Sequence, residues 1–149
     1  MREIKFRGKR TYDGEWIYGY YSKHRNFKNE VYTAIEIFDE NTGETYCDGI
    51  NAVIPDTIGQ YTGLKDKNDM EIYEGDIVKL YDKISKVEWT AVVEFGNPNG
   101  EYVWGWNLKP LEDVAINTDI LLWVEMEDGG AYCEIIGNIW DNPEMLGEK

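Results

Sequence analysis

A mainly β fold, made of several hairpins in small mixed sheets with little helix, is what this sequence of 149 residues predicts. Three observations carry that expectation. Turn signals recur along the chain, the segments between them alternate, and those segments are rich in Tyr, Trp, Val and Ile, which suit a pleated, half-buried surface. Hydrophobic residues make up 42% and aromatics 14%, a composition that buries a core rather than staying disordered.

Taken in order, Asp13-Gly14 divides residues 4–12 from 15–21 and predicts a first hairpin. Read as a two-residue turn, it pairs residues whose numbers sum to 27. One face then carries Ile4, Phe6, Gly8 and Arg10 against Lys23, Tyr21, Gly19 and Ile17. This more apolar face is expected on the core, with two glycines opposite each other where something approaches closely. The charged stretch 22–26, which holds His24, reads as an exposed loop. Asn41-Thr42-Gly43 divides residues 31–38 from 44–47 as a second hairpin. The passage 51–60, with Pro55, connects an N-terminal lobe (1–55) to a barrel-like lobe (56–149) within one domain spanning 1–149.

Gly75-Asp76 makes a tight bend that feeds Ile77, Val78 and Leu80 into a strand. A Gly-Asp bend before a Val-rich strand recurs in small SH3-like barrels, so an SH3-like barrel element is expected, with residues 91–106 supplying the next strands. Asn97-Pro98-Asn99-Gly100 divides residues 90–95 from 101–106 as a third hairpin, and Phe95, Trp104 and Trp106 read as a core aromatic cluster. Helix is expected only at 111–116 and as a single turn at 143–146, where Pro143 follows Asn142. Asp128-Gly129-Gly130 divides residues 120–127 from 131–139 as a fourth hairpin.

The net charge of −14 is unevenly spread: residues 1–30 carry a balance of +4 and residues 31–149 one of −18. So negative a chain disfavours generic duplex binding, which runs on phosphate neutralisation. Solubility is the plainest use of the excess; an acidic mimic of DNA, aimed at a host DNA-binding protein, is another. The opening apolar run is broken at once by Lys5, Arg7, Lys9 and Arg10, which predicts no signal peptide. No apolar run approaches the roughly 20 residues of a membrane span. A protein of the host cytoplasm without a membrane partner is expected, with Cys47 and Cys133 as two buried thiols.

Chemistry is thin in this sequence. One His and two cysteines eighty-six residues apart make a poor zinc set. Residues 66–77 fail as a calcium loop, because Glu71 stands where the sharp turn needs Gly and Ile77 where the loop needs Glu. Ser22, Ser85 and the cysteines lack a partnered base, and there is no Gly-rich phosphate loop. Glu71, Glu74, Asp76 and Glu94 are the one carboxylate set that could hold Mg²⁺ or act as an acid–base pair, but Asp76 more naturally caps its own turn. No cofactor and no catalysis are expected.

The other face of the first hairpin is more informative. It sets Arg7 against Tyr20, Lys9 against Tyr18 and Thr11 against Trp16, a ladder of cation–aromatic pairs on the basic part of the chain. A self-satisfied surface accounts for it, each pair contributing about 0.2–1 kcal/mol. As a binding site, Arg7, Lys9, Trp16, Tyr18 and Tyr20 would stack single-stranded bases and hold phosphates. Alternatively the face docks on an acidic surface of a second subunit.

Residues 60–80 (QYTGLKDKNDMEIYEGDIVKL), read with the opening MREIKFRGK and the closing EIIGNIWDNPEML at 134–146, resemble the YopX family. Those are small proteins of phages and prophages of Gram-positive bacteria, with no established biochemical role. The resemblance covers most of the chain and is most specific at 60–78 and 134–146; residues 82–125 are less diagnostic. Asp69 departs from the pattern, which has Gly after Asn68. The resemblance implies a mostly β fold with an SH3-type element. The function expected is a non-catalytic accessory protein that binds a host or phage protein or copies of itself.

Overall fold

The computed structural model describes residues 5–39, 44–46, 52–96, 105–112, 120, 123 and 131–147. The chain divides into two compact units, Met1–Tyr61 and Thr62–Lys149. Strand β5, Gly59–Lys65, runs through the division.

In the first unit an antiparallel sheet takes the order β4-β3-β2-β1-β5. Its strands are β1 (Phe6–Lys9), β2 (Trp16–Arg25), β3 (Val31–Asp39), β4 (Glu44–Tyr46) and the start of β5. The first hairpin forms, but its register differs from the expected one. Arg7 faces Tyr18 and Lys9 faces Trp16, so paired numbers sum to 25. The reason is the turn, which spans four residues. Arg10 N–H donates to the Glu15 carbonyl at 2.8 Å, and Gly14, at φ +75°, donates to the Arg10 carbonyl at 2.8 Å. A slip of two residues leaves every side chain on its predicted face, because strand side chains repeat with period two.

The two glycines are consequently not opposite each other: Gly8 faces Ile17 and Gly19 faces Phe6. Each still marks a close approach. A Cβ on Gly8 would lie 3.1 Å from the Val53 side chain, and one on Gly19 would overlap the Glu36 carbonyl oxygen. Ile17, Ile35 and Val53, with Phe6 and Ile58 against them, form the core of this unit.

The stretch 22–26 is not a loop, as expected, because β2 continues to Arg25. Pairing with β3, from Tyr20↔Glu36 to Arg25↔Val31, carries a polar sequence along as strand. The turn lies at 26–30, where the Asn26 carboxamide oxygen accepts from Lys28 and Glu30 N–H at 2.9 and 3.0 Å. β3 and β4 pair as the second predicted hairpin; its turn, 40–43, lies outside the described residues.

In the second unit, β7 (Asp76–Asp82), β8 (Val87–Gly96), β9 (Gly105–Pro110) and β10 (Ala131–Asn138) form a sheet in the order β10-β7-β8-β9. The protein is thus mainly β. No pairing among the described residues joins β9 to β10, so the expected SH3-like element is not seen among them as a closed barrel. Its buried core runs through Ile72, Val78, Leu80, Trp89, Val93 and Leu108.

Two expectations about this core need correction. Phe95 and Trp106 do meet, directly opposite each other with ring centroids 4.9 Å apart, but only Trp106 packs against the core, while Phe95 is 61% exposed at its edge. Trp104 lies outside the described residues. Ile120 and Trp123 are helical rather than part of a strand at 120–127. A continuous apolar run such as 120–124 does not separate strand from buried helix by period. The spacing of three residues turns both side chains inward, and Trp123 meets Trp89 edge-on at 5.4 Å. Turn 128–130 and residues 113–116 of the expected helix lie outside the described residues, whereas Pro143–Leu146 forms the predicted single turn, as 3-10 helix.

The bend before β7 forms as read. Gly75 has φ +90°, and the Asp76 carboxylate accepts from Tyr73 N–H at 2.7 Å. A Cβ on Gly75 would overlap the indole ring of Trp140, and Ile139 N–H donates to the Gly75 carbonyl at 3.0 Å. Upstream, β5 turns into β6 (Glu71–Tyr73) through a loop organised by Asp66. One oxygen of its carboxylate accepts from Asn68 and Met70 N–H at 2.9 and 3.0 Å, and the other from Ile135 N–H on β10 at 2.9 Å. Lys67 N–H donates to the Cys133 carbonyl at 2.9 Å. Asp69 sits at φ +65°, the conformation for which Gly would be the easier residue.

Asp66→Ala strands three donors at once and is expected to cost about 3 kcal/mol, read as a lowered urea midpoint at unchanged m. Gly75→Ala is expected to cost at least about 2 kcal/mol by the same measurement, since both its backbone angle and Trp140 oppose a side chain.

Candidate functional site

The five residues singled out in the sequence all lie on one face of the first unit's sheet, since β1 and β2 hold their parity. The pairs within that face are different ones. The Arg7 guanidinium lies over the Trp16 ring, 4.6 Å from its centroid, and the Lys9 ammonium approaches the same ring at 5.8 Å. Lys5 extends the row over the ring of Tyr61, at 5.3 Å. Thr11 leaves the ladder for the turn, where its hydroxyl donates to the Ala52 carbonyl at 3.3 Å. Tyr20 faces Glu36 on β3.

Burial divides the set. Arg7 is only 6% exposed, whereas Tyr18 is 47% and Tyr20 42% exposed; Lys9 and Trp16 are half-buried. A guanidinium that deep serves as packing and as a cation on an indole, worth about 2 kcal/mol where water is excluded. It is not placed to hold a phosphate. What remains open is a tyrosine edge, Tyr18 and Tyr20, flanked by Lys9.

The turn beside this face is held by its own ion pair. Arg10 Nε donates to Asp13 Oδ1 at 2.9 Å, and Glu15 N–H donates to the same oxygen at 3.1 Å. The hydrogen bond from Arg10 is the main cause that lowers the Asp13 carboxyl to about 2.

Other candidates fare differently. His24 stands in β2, with Nε2 at 2.9 Å from Ser22 Oγ and 3.3 Å from Glu36 Oε1, and its ring stacked on Tyr32 at 5.7 Å. Ser and Glu meet the same ring nitrogen, whereas a proton relay needs the acid on the other one. No sequence signal marks this grouping, because Glu36 and Tyr32 arrive through the β2–β3 register. Cys133 is buried, and burial above all pushes its thiol up to about 12, so it is not a nucleophile. Cys47 lies outside the described residues. Of the carboxylates, Asp76 is 1% exposed and caps Tyr73, and the Tyr73 hydroxyl donates to Glu71 at 3.3 Å. Among the described residues no three His, Cys, Asp or Glu side chains converge as metal ligands. None of their helices is long and apolar enough to cross a membrane.

Fold and site together define a class, a small mainly β protein in which Asp66, Asp76 and His24 are hydrogen-bonded within its own strands and loops. The family model described as YopX protein matches residues 5–147, and the chain belongs to the YopX family. No curated protein matches the chain significantly. Among solved structures it is similar to that of protein EF1440 from Enterococcus faecalis, at 26% identity and a TM-score of 0.48, with 99% of this chain and 100% of that one covered.

Arg7→Ala is expected to lower stability by about 2 kcal/mol, while Tyr18→Ala and Tyr20→Ala each stay within about 1 kcal/mol, measured by urea unfolding. The Asp13 carboxyl is expected to titrate at about 2 by NMR and to return toward its ordinary value of 3.8 in Arg10→Ala. Because its folded pKa is depressed, whatever stability the pair contributes is present above the ordinary value and fades as pH falls toward 2.

Proposed function

We propose that this chain is a non-catalytic accessory protein of the phage or prophage kind. It acts in the host cytoplasm by binding another macromolecule, a host or phage protein or further copies of itself. One contrast carries the reading. Asp66, Asp76, His24 and Cys133, groups with chemistry to offer among the described residues, are engaged in structure, while large aromatics of the basic segment are exposed. Asp66 and Asp76 hold backbone N–H groups, His24 is tied to Ser22 and Glu36, and Cys133 is buried as the neutral thiol. Against these, Tyr12, Tyr18, Tyr20, Tyr21 and Phe27 are 42–96% exposed within residues 12–27. Tyrosine offers a rigid apolar body with a polar tip, the combination enriched at protein interfaces.

Single-strand binding draws support from the open Tyr18 and Tyr20, two rings on which bases could stack. It is weakened by the burial of Arg7 and by the net charge of −14. Affinity capture of the tagged protein from host lysate, with and without nuclease, separates the two. A defined protein that survives nuclease and is lost with Tyr18→Ala/Tyr20→Ala is the expected result. Recovery of nucleic acid, or of proteins that vanish with nuclease, would sink the protein-binding reading.

A further inference from the structure

The first turn carries a covalent hazard in its own sequence. Asp13 is followed by Gly14, and glycine on that side leaves the next backbone nitrogen unhindered by a Cβ. In such a pair the glycine nitrogen attacks the Asp Cγ. The N–Cγ bond forms, the carboxyl C–O bond breaks, and the amide proton leaves with the carboxyl hydroxyl as water. A second water then opens the cyclic imide at either carbonyl. Opening at the α-carbonyl leaves the chain running through Cγ as isoaspartate, with a backbone one methylene longer. The reaction draws on a free amide nitrogen and a protonated carboxyl. Residues 11–15 are exposed, and a Cβ on Gly14 would meet nothing within 4 Å, so water reaches the turn.

The fold withholds both reactants. Gly14 N–H donates to the Arg10 carbonyl at 2.8 Å, which engages the nitrogen that would attack. Arg10 Nε donates to Asp13 Oδ1 at 2.9 Å and its Nη2 to Oδ2, while Glu15 N–H adds a bond to Oδ1 at 3.1 Å. A forked guanidinium holds both oxygens of the ionised carboxylate. That bond above all keeps the Asp13 carboxyl down at about 2, and each unit of depression leaves about tenfold less of the protonated form at neutral pH. The turn is also tied from outside, since Thr11 N–H donates to the Ala52 carbonyl at 2.9 Å and Arg10 bridges to Val53.

We propose that Asp13-Gly14 is a latent site of isoaspartate formation, kept closed by the Arg10 side chain. Its place in the fold makes the closure matter. The four-residue turn sets Arg7 against Tyr18 and Lys9 against Trp16. An added methylene there would disturb the two bonds that close it, from Arg10 N–H to the Glu15 carbonyl and from Gly14 N–H to the Arg10 carbonyl. Arg10 thus protects the register on which the tyrosine face is built, without belonging to that face.

Ageing the full chain at neutral pH and body temperature tests this, with isoaspartate at position 13 counted by peptide mapping and electron-transfer fragmentation. The same chain unfolded in guanidinium gives the unprotected rate. Folded wild type is expected to convert at least about tenfold more slowly, and folded Arg10→Ala at least about tenfold faster than folded wild type. Arg10→Ala leaves both backbone bonds of that residue in place, and its urea midpoint checks that it is folded. Salt at about 1 M screens the exposed ion pair without any substitution and is expected to raise the folded wild-type rate. Equal rates in folded and unfolded wild type overturn the proposal. So does a folded Arg10→Ala chain that ages at the wild-type rate. Should that variant fail to fold, a wild-type rate indifferent to salt overturns it instead.

Discussion

The larger unit turns on one carboxylate. Asp66 folds its own loop by accepting from Asn68 and Met70, and with its second oxygen it takes the Ile135 N–H, sixty-nine residues further along the chain. That N–H and the Cys133 carbonyl, which accepts from Lys67, lie on the side of β10 away from β7. An edge strand left open there would invite pairing with another chain. The loop covers part of it. A few residues on, Gly75 lets the Trp140 ring lie on bare backbone, and the Asn142 side chain packs where a Cβ on Gly137 would stand. Residues 60–78 and 134–146 are therefore the two halves of a single joint. The segments that carry the family resemblance most specifically are the ones that meet there.

The smaller unit shows how a strand sequence tolerates an error in its turn. A four-residue loop in place of two moves every pair by two positions, yet each side chain keeps its face. Arg7 and Lys9 thus still share a face with Trp16, Tyr18 and Tyr20, though Arg7 lies over Trp16 and not across from Tyr20. Burial then separates them by role. The cation nearest the indole belongs to the packing, and the tyrosines further along β2 are exposed.

The groups of this molecule whose chemistry is described are tied into its structure. Its buried acids hold N–H groups, its imidazole is shared by a serine and a glutamate, and its described thiol is neutral and enclosed. What varies across the surface is charge and aromatic exposure, and both change along the chain in the same place, the first thirty residues. Association driven by such a contrast is fast and salt-sensitive, and it depends on a few aromatic anchors for its lifetime.

By itself the sequence determined the β class, the first two hairpins, the Gly75-Asp76 bend, the single turn at 143–146 and the face on which each residue of β1 and β2 lies; the third expected turn, 97–100, lies outside the described residues. These follow from local chemistry: which residues accept a turn, and the period of two along a strand. Tertiary structure decided the register of the first hairpin, the extension of β2 through His24, and the helical state of Ile120 and Trp123. It also decided that Arg7 is buried and Phe95 exposed, and that Asp66 reaches Ile135. The register of the first hairpin follows from how its turn closes, and the others depend on partners distant in the chain, so none of these was legible. Polar residues 22–25 become strand only when β3 offers hydrogen bonds, and Ile120 and Trp123 are helical where Trp123 packs edge-on against Trp89.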